Sequence, residues 1–382
     1  MPSDVVEELC ATLFSSFRRK DQRQKATQYL RGLLTTQGRK SIRNIAATTG
    51  GPAAVQSLHH FIASSTWDWQ PLRAALAAYA ESVAPPQAWV VRPMSVSKAG
   101  TRSVGVDEIV DPCLGQTFWG QQSFGVWSVS PRLSVPINWR LFLPGRRGRA
   151  DLRSHRDEAA QHPGETLQDC AVAAALTTPY RGEACHTPVV LNIRGSATPA
   201  TMARFAAASV PVLARATASS RLVVADRAVP GSGRRVLPAQ AILGSVGNLR
   251  RPVQWRTPGQ PHVLRRSLVA AVPVTLPHVP AGRQRPLLLL GVWRDPRQPP
   301  VQSWLTDMVM VPESRLMKLI GLSHKVDWDA TRTGEAVGLR DFVGRSFRGW
   351  HRHITLASVA HAVRMVTADA DRAPYGALPA PA

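Results

Sequence analysis

Cysteine, lysine and acidic residues are all scarce in this sequence, and no long apolar run occurs. The four cysteines, at positions 10, 113, 170 and 185 of 382, form no close pair. That excludes a disulfide-stapled secreted scaffold and any zinc- or redox-type spacing. The longest apolar stretch, residues 287–292, has the length of a strand. It falls far short of the roughly 20 residues that span a bilayer. The N-terminus, MPSDVVEELC, carries acids where a secretory signal is basic, and no apolar segment follows it. A cytoplasmic protein with no membrane partner is expected.

Against 25 acidic residues stand 47 basic ones, of which only six are lysine and 41 arginine, for a formal charge of +22. An arginine excess can reflect GC-rich coding, but exchanging lysine for arginine leaves the charge unchanged. The excess therefore calls for a polyanionic partner. Apolar residues make up 44% of the chain, enough for a packed core. The length predicts one large domain or a domain with an appendage.

Residues 1–84 read as helices. Val5, Leu9, Leu13 and Phe17 recur at helical spacing, and residues 41–48 and 54–62 flank Gly50-Gly51-Pro52 in a helix–turn–helix pattern. Pro85-Pro86 marks a change to strands, expected at 88–91, 102–106, 123–130 and 136–143. A helix at 165–176, a strand at 188–193, a helix at 198–208 and a strand at 210–215 form a β-α-β alternation that predicts parallel pairing. Residues 221–312 are β-rich and read as an insertion. Helices follow at 312–320 and 327–337, and an amphipathic one at 350–366, where Leu356, Val359, Ala360 and Val363 keep helical spacing. Residues 369–382 form an Ala/Pro tail expected to be disordered.

Five segments carry a family resemblance: RKSIRNIAATTG (39–50), QSLHHFIASSTWDW (56–69), WVVRPMSVSKAGTRSVGV (89–106), SVPINWRLFLP (134–144) and GWHRHITLASVAHA (349–362). Together they resemble the actinobacterial insertion-sequence transposases of the DDE type. The resemblance implies an RNase-H-like α/β fold with a β-rich insertion, preceded by an N-terminal helical segment. On this division residues 1–84 dock DNA, 85–220 and 313–368 build the core, and 221–312 are the insertion. It also implies three carboxylates holding two magnesium or manganese ions about 3.5–4 Å apart, which drive phosphodiester displacement. Such ions prefer hard, anionic oxygen ligands.

The carboxylates do not stand where that pattern puts them. The first belongs after the WVV strand, in a motif like W-V-I-D-D-x-x-x-x-K-x-G, and there this chain has Arg92 and Pro93. A guanidinium opposes a bound cation. Asp107, Glu108 and Asp111 lie nearby in sequence. A hairpin of 88–92 with 102–107, however, leaves Asp107 roughly 13 Å from position 92. The second position falls on Asn192, with Asp226 as an alternative that lacks the following helix. The third, on a helix before Gly338-Leu339, falls on Asp327, with Glu335 as the alternative in another register. The resemblance thus implies a degenerate site with no intact catalytic set, no metal, and Mg or Mn only if activity survives.

Neither a Gly-x-Ser-x-Gly elbow, a P-loop nor a dinucleotide fingerprint occurs. Adjacent His59 and His60 cannot share one ion. Arg18-Arg19-Lys20, Arg146-Arg147 and Arg234-Arg235 are the clusters expected to track phosphates, joined by His351 and Arg352 near a helix start. Trp67, Trp89, Trp139, Trp255 and Trp293 read as core, whereas Trp119 is the candidate for a base contact. The leading expectation is a transposase-like protein on duplex DNA, associated with the nucleoid and able to self-associate. Its rivals are an active DDE transposase, and an enzyme of other chemistry in the vacated cleft. If about six phosphates are neutralised, the slope of log K against log salt on duplex DNA is roughly −5; fluorescence anisotropy across a salt series measures it.

Overall fold

Apolar residues spaced three and four apart give way to β-branched runs after Pro85, and the computed structural model changes from helices to strands at that point. It describes residues 3–110, 116–144, 165–178, 187–226, 233, 235–257, 260–279, 282 and 284–370. Arg146, Arg147, Arg234, Asp111, Cys113, Cys185 and the tail from 371 lie outside the described residues. The chain divides into two compact units. One holds the N-terminal helices, residues 132–137 and the chain from 329. The other holds residues 86–131 and 138–328.

In the helical unit, α1 (Ser3–Leu13), α2 (Lys20–Thr35), α3 (Ile42–Thr49), α4 (Ala53–Ala63) and α5 (Gln70–Val83) surround the last helix, α10 (Phe347–Ala370). Ser41 caps α3 by accepting the Asn44 N–H at 3.2 Å. Gly51, at φ +67°, turns the chain into α4, which gives the helix–turn–helix geometry its sequence called for. The amphipathic reading of α10 is corrected: every residue from Trp350 to Val363 is buried, so the helix has no solvent face. Several of its polar side chains bond to other parts of the unit. Thr355 accepts from Arg73 Nε at 2.9 Å, and His351 Nδ1 accepts from Arg73 Nη2 at 2.9 Å. His353 takes the Tyr29 hydroxyl on Nδ1 and donates from Nε2 to the Gly338 carbonyl, each at 2.8 Å. Burial pushes the Arg73 guanidinium down to about 9.

The second unit is built on a twelve-stranded mixed sheet. Its strands are β1 (Ala88–Ser97), β2 (Val106–Val110), β3 (Thr117–Val129), β4 (Ser134–Leu141), β5 (Val189–Leu191), β6 (Val212–Ala216), β7 (Arg221–Val224), β8 (Val236–Pro238), β9 (Arg251–Thr257), β10 (Gln260–Thr275), β11 (Leu287–Trp293) and β12 (Gln302–Thr306). They run in the order β2-β3-β1-β5-β6-β12-β11-β10-β7-β8, with β4 on β3 and β9 on β10. The expected parallel pairing is present: β5 lies parallel to both β1 and β6. The strands of 221–312 extend this same sheet beyond β6. The expected hairpin of 88–92 with 102–107 is absent, because β3 lies between β1 and β2.

Helices α6 (Leu167–Leu176), α7 (Pro199–Ala207) and α8 (Ala239–Ser245) cover one face. Thr166 and Asp169 form a capping box at the start of α6, and Thr198 caps α7. Their apolar side chains pack on Val91, Leu191, Ala214, Leu305, Leu289 and Val272, which are almost wholly buried. Cys170 of α6 lies in that core, and burial pushes its thiol up to about 12. The two helices expected at 312–320 and 327–337 are replaced by one, α9 (Glu313–Asp329), followed by a π-turn at Ala330–Gly334. Of the tryptophans read as core, Trp67, Trp89, Trp139, Trp255 and Trp293 are all buried, and Trp119 is exposed. Among the described residues no helix is long and apolar enough to cross a membrane. Leu191 fills the space between β1 and β6 on the core face, so Leu191→Ala should lower stability by about 2–5 kcal/mol in urea unfolding.

Candidate functional site

Val91 pairs with Leu191 and Leu191 with Ala214, so one residue further along each strand Arg92, Asn192 and Arg215 come level. Side chains alternate across a sheet. Val91, Leu191 and Ala214 face the helix-covered core, and these three therefore face the other way. On that second face Arg215 pairs with Trp304 of β12 and lies over its ring, 5.6 Å from the centroid. Arg92 pairs with Gly125 of β3, where a side chain would meet the Trp139 ring at 2.8 Å. The missing Cβ at 125 leaves that ring room to close over the strand beside Arg92.

Helix α9 runs over this face and delivers Asp327 to it. Arg92 donates from Nε to Asp327 Oδ1 at 3.0 Å, with the two side chains 25% and 49% exposed. Asn192 Oδ1 accepts from Arg215 Nη1 at 3.0 Å. Arg92, Asn192 and Asp327, the residues expected from the sequence at the family's ligand positions, thus fall around one cleft. One turn before Asp327, His324 sets its ring 6.0 Å from Trp255, and Arg265 lies 5.9 Å over that same tryptophan. Trp255 is fixed in turn by donating Nε1–H to Ser267 at 3.1 Å.

Charge in this cleft is mostly positive. Burial lowers the Arg215 guanidinium below its ordinary value, and Arg194 adds to the effect while Asp327 opposes it. Burial likewise lowers His324. Asp327 works against that shift, and Arg215, Arg265 and Arg294 reinforce it. Burial and the surrounding arginines thus favour the neutral form of the His324 imidazole.

The residues present do not fit a pair of divalent cations. Such ions need several anionic oxygens. Among the described residues this cleft offers one carboxylate, already accepting from Arg92, and one amide oxygen, already accepting from Arg215. Among the described residues no group of three or more His, Cys, Asp or Glu side chains is placed to hold a metal.

The alternative acids are elsewhere. Asp226 follows β7, five strands from β5, which is roughly 24 Å across the sheet. Glu335 belongs to the helical unit and pairs with Arg340 at 3.1 Å. Asp107 pairs with Gly120 whereas Arg92 pairs with Gly125, so the two are about 17 Å apart along β3 alone. The intervening strand makes the separation larger than the hairpin reading allowed.

Among the expected phosphate contacts, Arg18, Lys20 and Arg235 are exposed, and Arg19 is exposed but held by Asp21 at 2.8 Å. His351 and Arg352 are corrected. Both are buried, at 5% and 2% exposure, and Arg352 donates to the carbonyls of Trp67 and Ile62 at 3.1 Å each. His351 stacks on Trp69 at 4.7 Å. Reasoning from sequence passed over Arg194, Arg215, Arg294 and His324. The signal for Arg215 was the parallel register, which places it level with Asn192.

The family described as DDE superfamily endonuclease matches residues 12–274. The match covers Arg92 and Asn192 and stops before Asp327. No curated protein matches the chain. Since Arg352 serves the helical core, Arg352→Ala should cost about 3 kcal/mol in thermal or urea unfolding and leave the salt slope of DNA binding unchanged.

Proposed function

The chain belongs to the DDE superfamily of endonucleases, and we propose that it is a transposase-like member that binds duplex DNA and has lost metal-dependent strand transfer. The observation that carries this reading is the guanidinium of Arg92, which stands at the expected first ligand position and bonds at 3.0 Å to Asp327, the residue expected at the third. At about 4 Å and an effective dielectric near 20, the repulsion is on the order of 4 kcal/mol for each unit of metal charge. An amide at position 192 supplies no compensating charge.

DNA binding rests on the family, on the charge of +22 and on the exposed cations Arg18, Lys20 and Arg235. None of these needs a metal, so binding survives where cutting does not. An active enzyme would need another acid beside Asp327, and Asp226, at five strands' distance, is not available for that role. The reading implies work in the cytoplasm, on the nucleoid.

Supercoiled plasmid incubated with the purified protein and magnesium or manganese should stay uncut, while the same protein retards duplex DNA in excess chelator. Metal-dependent nicking that disappears in Asp327→Ala would sink the proposal.

A further inference from the structure

The residues that replaced the acids are themselves arranged to hold something. We propose that the cleft between β1, β5, β6 and α9 is a metal-free binding site for a backbone phosphate of nucleic acid. Arg92 and Arg215 are its ligands, and Asp327 is an internal counter-ion that the phosphate displaces. The inference rests on the DNA-binding reading for the source of the phosphate, and on the cleft alone for the anion.

Geometry supplies the first argument. Arg92 and Arg215 flank Asn192 on adjacent strands and face the same side of the sheet. Their backbones are two strand spacings apart, about 10 Å, a span that two long arginine side chains can bridge to reach one tetrahedral anion. A guanidinium carries five N–H donors. Arg92 uses one for Asp327 and a second, at 3.5 Å, for the Pro93 carbonyl, and Arg215 uses one for Asn192, which leaves donors on both. Planar guanidinium groups suit phosphate because they can engage two of its oxygens at once.

Burial supplies the second. Arg92 is 25% exposed and Arg215 is half-buried, so a solute can reach both while much of their water is already excluded. Charge-assisted hydrogen bonds are stronger in such surroundings. Arg194, Arg265 and Arg294 add positive charge that reaches Arg215 or His324, with Asp327 alone opposing it there. Asp327 already presents a carboxylate to Arg92, and a phosphodiester oxygen, with the same single negative charge, could take its place in the same hydrogen-bond geometry. Trp328, next after Asp327 on α9, is 55% exposed, and an exposed aromatic ring near the site suits a nucleic-acid strand better than a free anion.

An acid that serves as counter-ion behaves oppositely to one that serves as metal ligand, and the test uses that difference. Binding of a short fluorescent duplex is followed by anisotropy across a salt series in excess chelator. Arg92→Ala and Arg215→Ala should each weaken binding about tenfold and lower the salt slope by about 1. Arg92→Lys keeps the charge and should keep the slope. Asp327→Asn should tighten binding several-fold, and it probes the site without removing an arginine, so it remains informative if an arginine variant folds poorly by thermal melting. Unchanged slopes in the arginine variants together with no tightening in Asp327→Asn overturn the proposal, while duplex binding by the unaltered protein leaves the wider reading standing. If that protein binds no duplex, inorganic pyrophosphate is titrated by calorimetry. Heat that vanishes in Arg215→Ala keeps the anion site and removes DNA as its source; no heat removes both.

Discussion

Backbone hydrogen bonds that align Val91 with Leu191, and Leu191 with Ala214, decide one residue later which side chains share the cleft. Everything functional in the sheet unit follows from that register. A slip of one residue would send Arg92, Asn192 and Arg215 into the apolar core and bring Val91 and Leu191 to the surface. Burial of Val91, Leu191 and Ala214 beneath α6, α7 and α8 makes such a slip prohibitively unfavourable. The core face thus holds the opposite face in place, and the chemistry of the opposite face is free to change without disturbing it.

That division explains how a member of an endonuclease superfamily can carry arginine at a position that meets Asp327. Two or three carboxylates converging without a metal repel one another, and a fold that gathers them depends on the ion to offset the repulsion. Here the Arg92–Asp327 pair is half-exposed and neutral as a unit. It stabilises the cleft little, by about 0–1 kcal/mol as exposed pairs do, but it also imposes no strain that an ion must relieve. Asn192 and Arg215 behave similarly, since the amide oxygen satisfies a guanidinium in place of a cation. The cleft is self-consistent as a cationic site.

Local signals made much of this legible in advance. Pro85-Pro86 marked the change from helix to strand, the β-α-β alternation gave the parallel strands, and Arg92, Asn192 and Asp327, singled out in sequence, lie near one another. What escaped was pairing at long range. Nothing local to residues 98–110 tells whether that segment pairs with β1 or with β3. The same holds for 221–312, a β-rich insertion in sequence whose strands extend the one sheet in an order no local signal gives. Arg215 was visible as a strand residue, but its place beside Asn192 depends on a register between segments separated by a helix. The acids rejected here fail for the same reason. Asp226 has the right local surroundings and the wrong strand order.

The GWHRH segment shows why a basic motif needs burial data before it is assigned to a partner. His351, Arg352 and His353 sit at the start of a helix that reads as cationic and exposed, which is how phosphate contacts read. In the structure each bonds to another part of the helical unit: His351 to Arg73, Arg352 to the carbonyls of Ile62 and Trp67, and His353 to Tyr29 and Gly338. A buried polar side chain must find its partners within the fold, and a lost partner leaves a desolvated group behind. Those demands fix both residue type and spacing as tightly as a binding site does. A distinctive sequence motif can therefore be a signature of packing, and in this chain the surface that carries the net charge has to be sought elsewhere, among exposed residues such as Arg18, Lys20 and Arg235 and in the cleft beside Arg92.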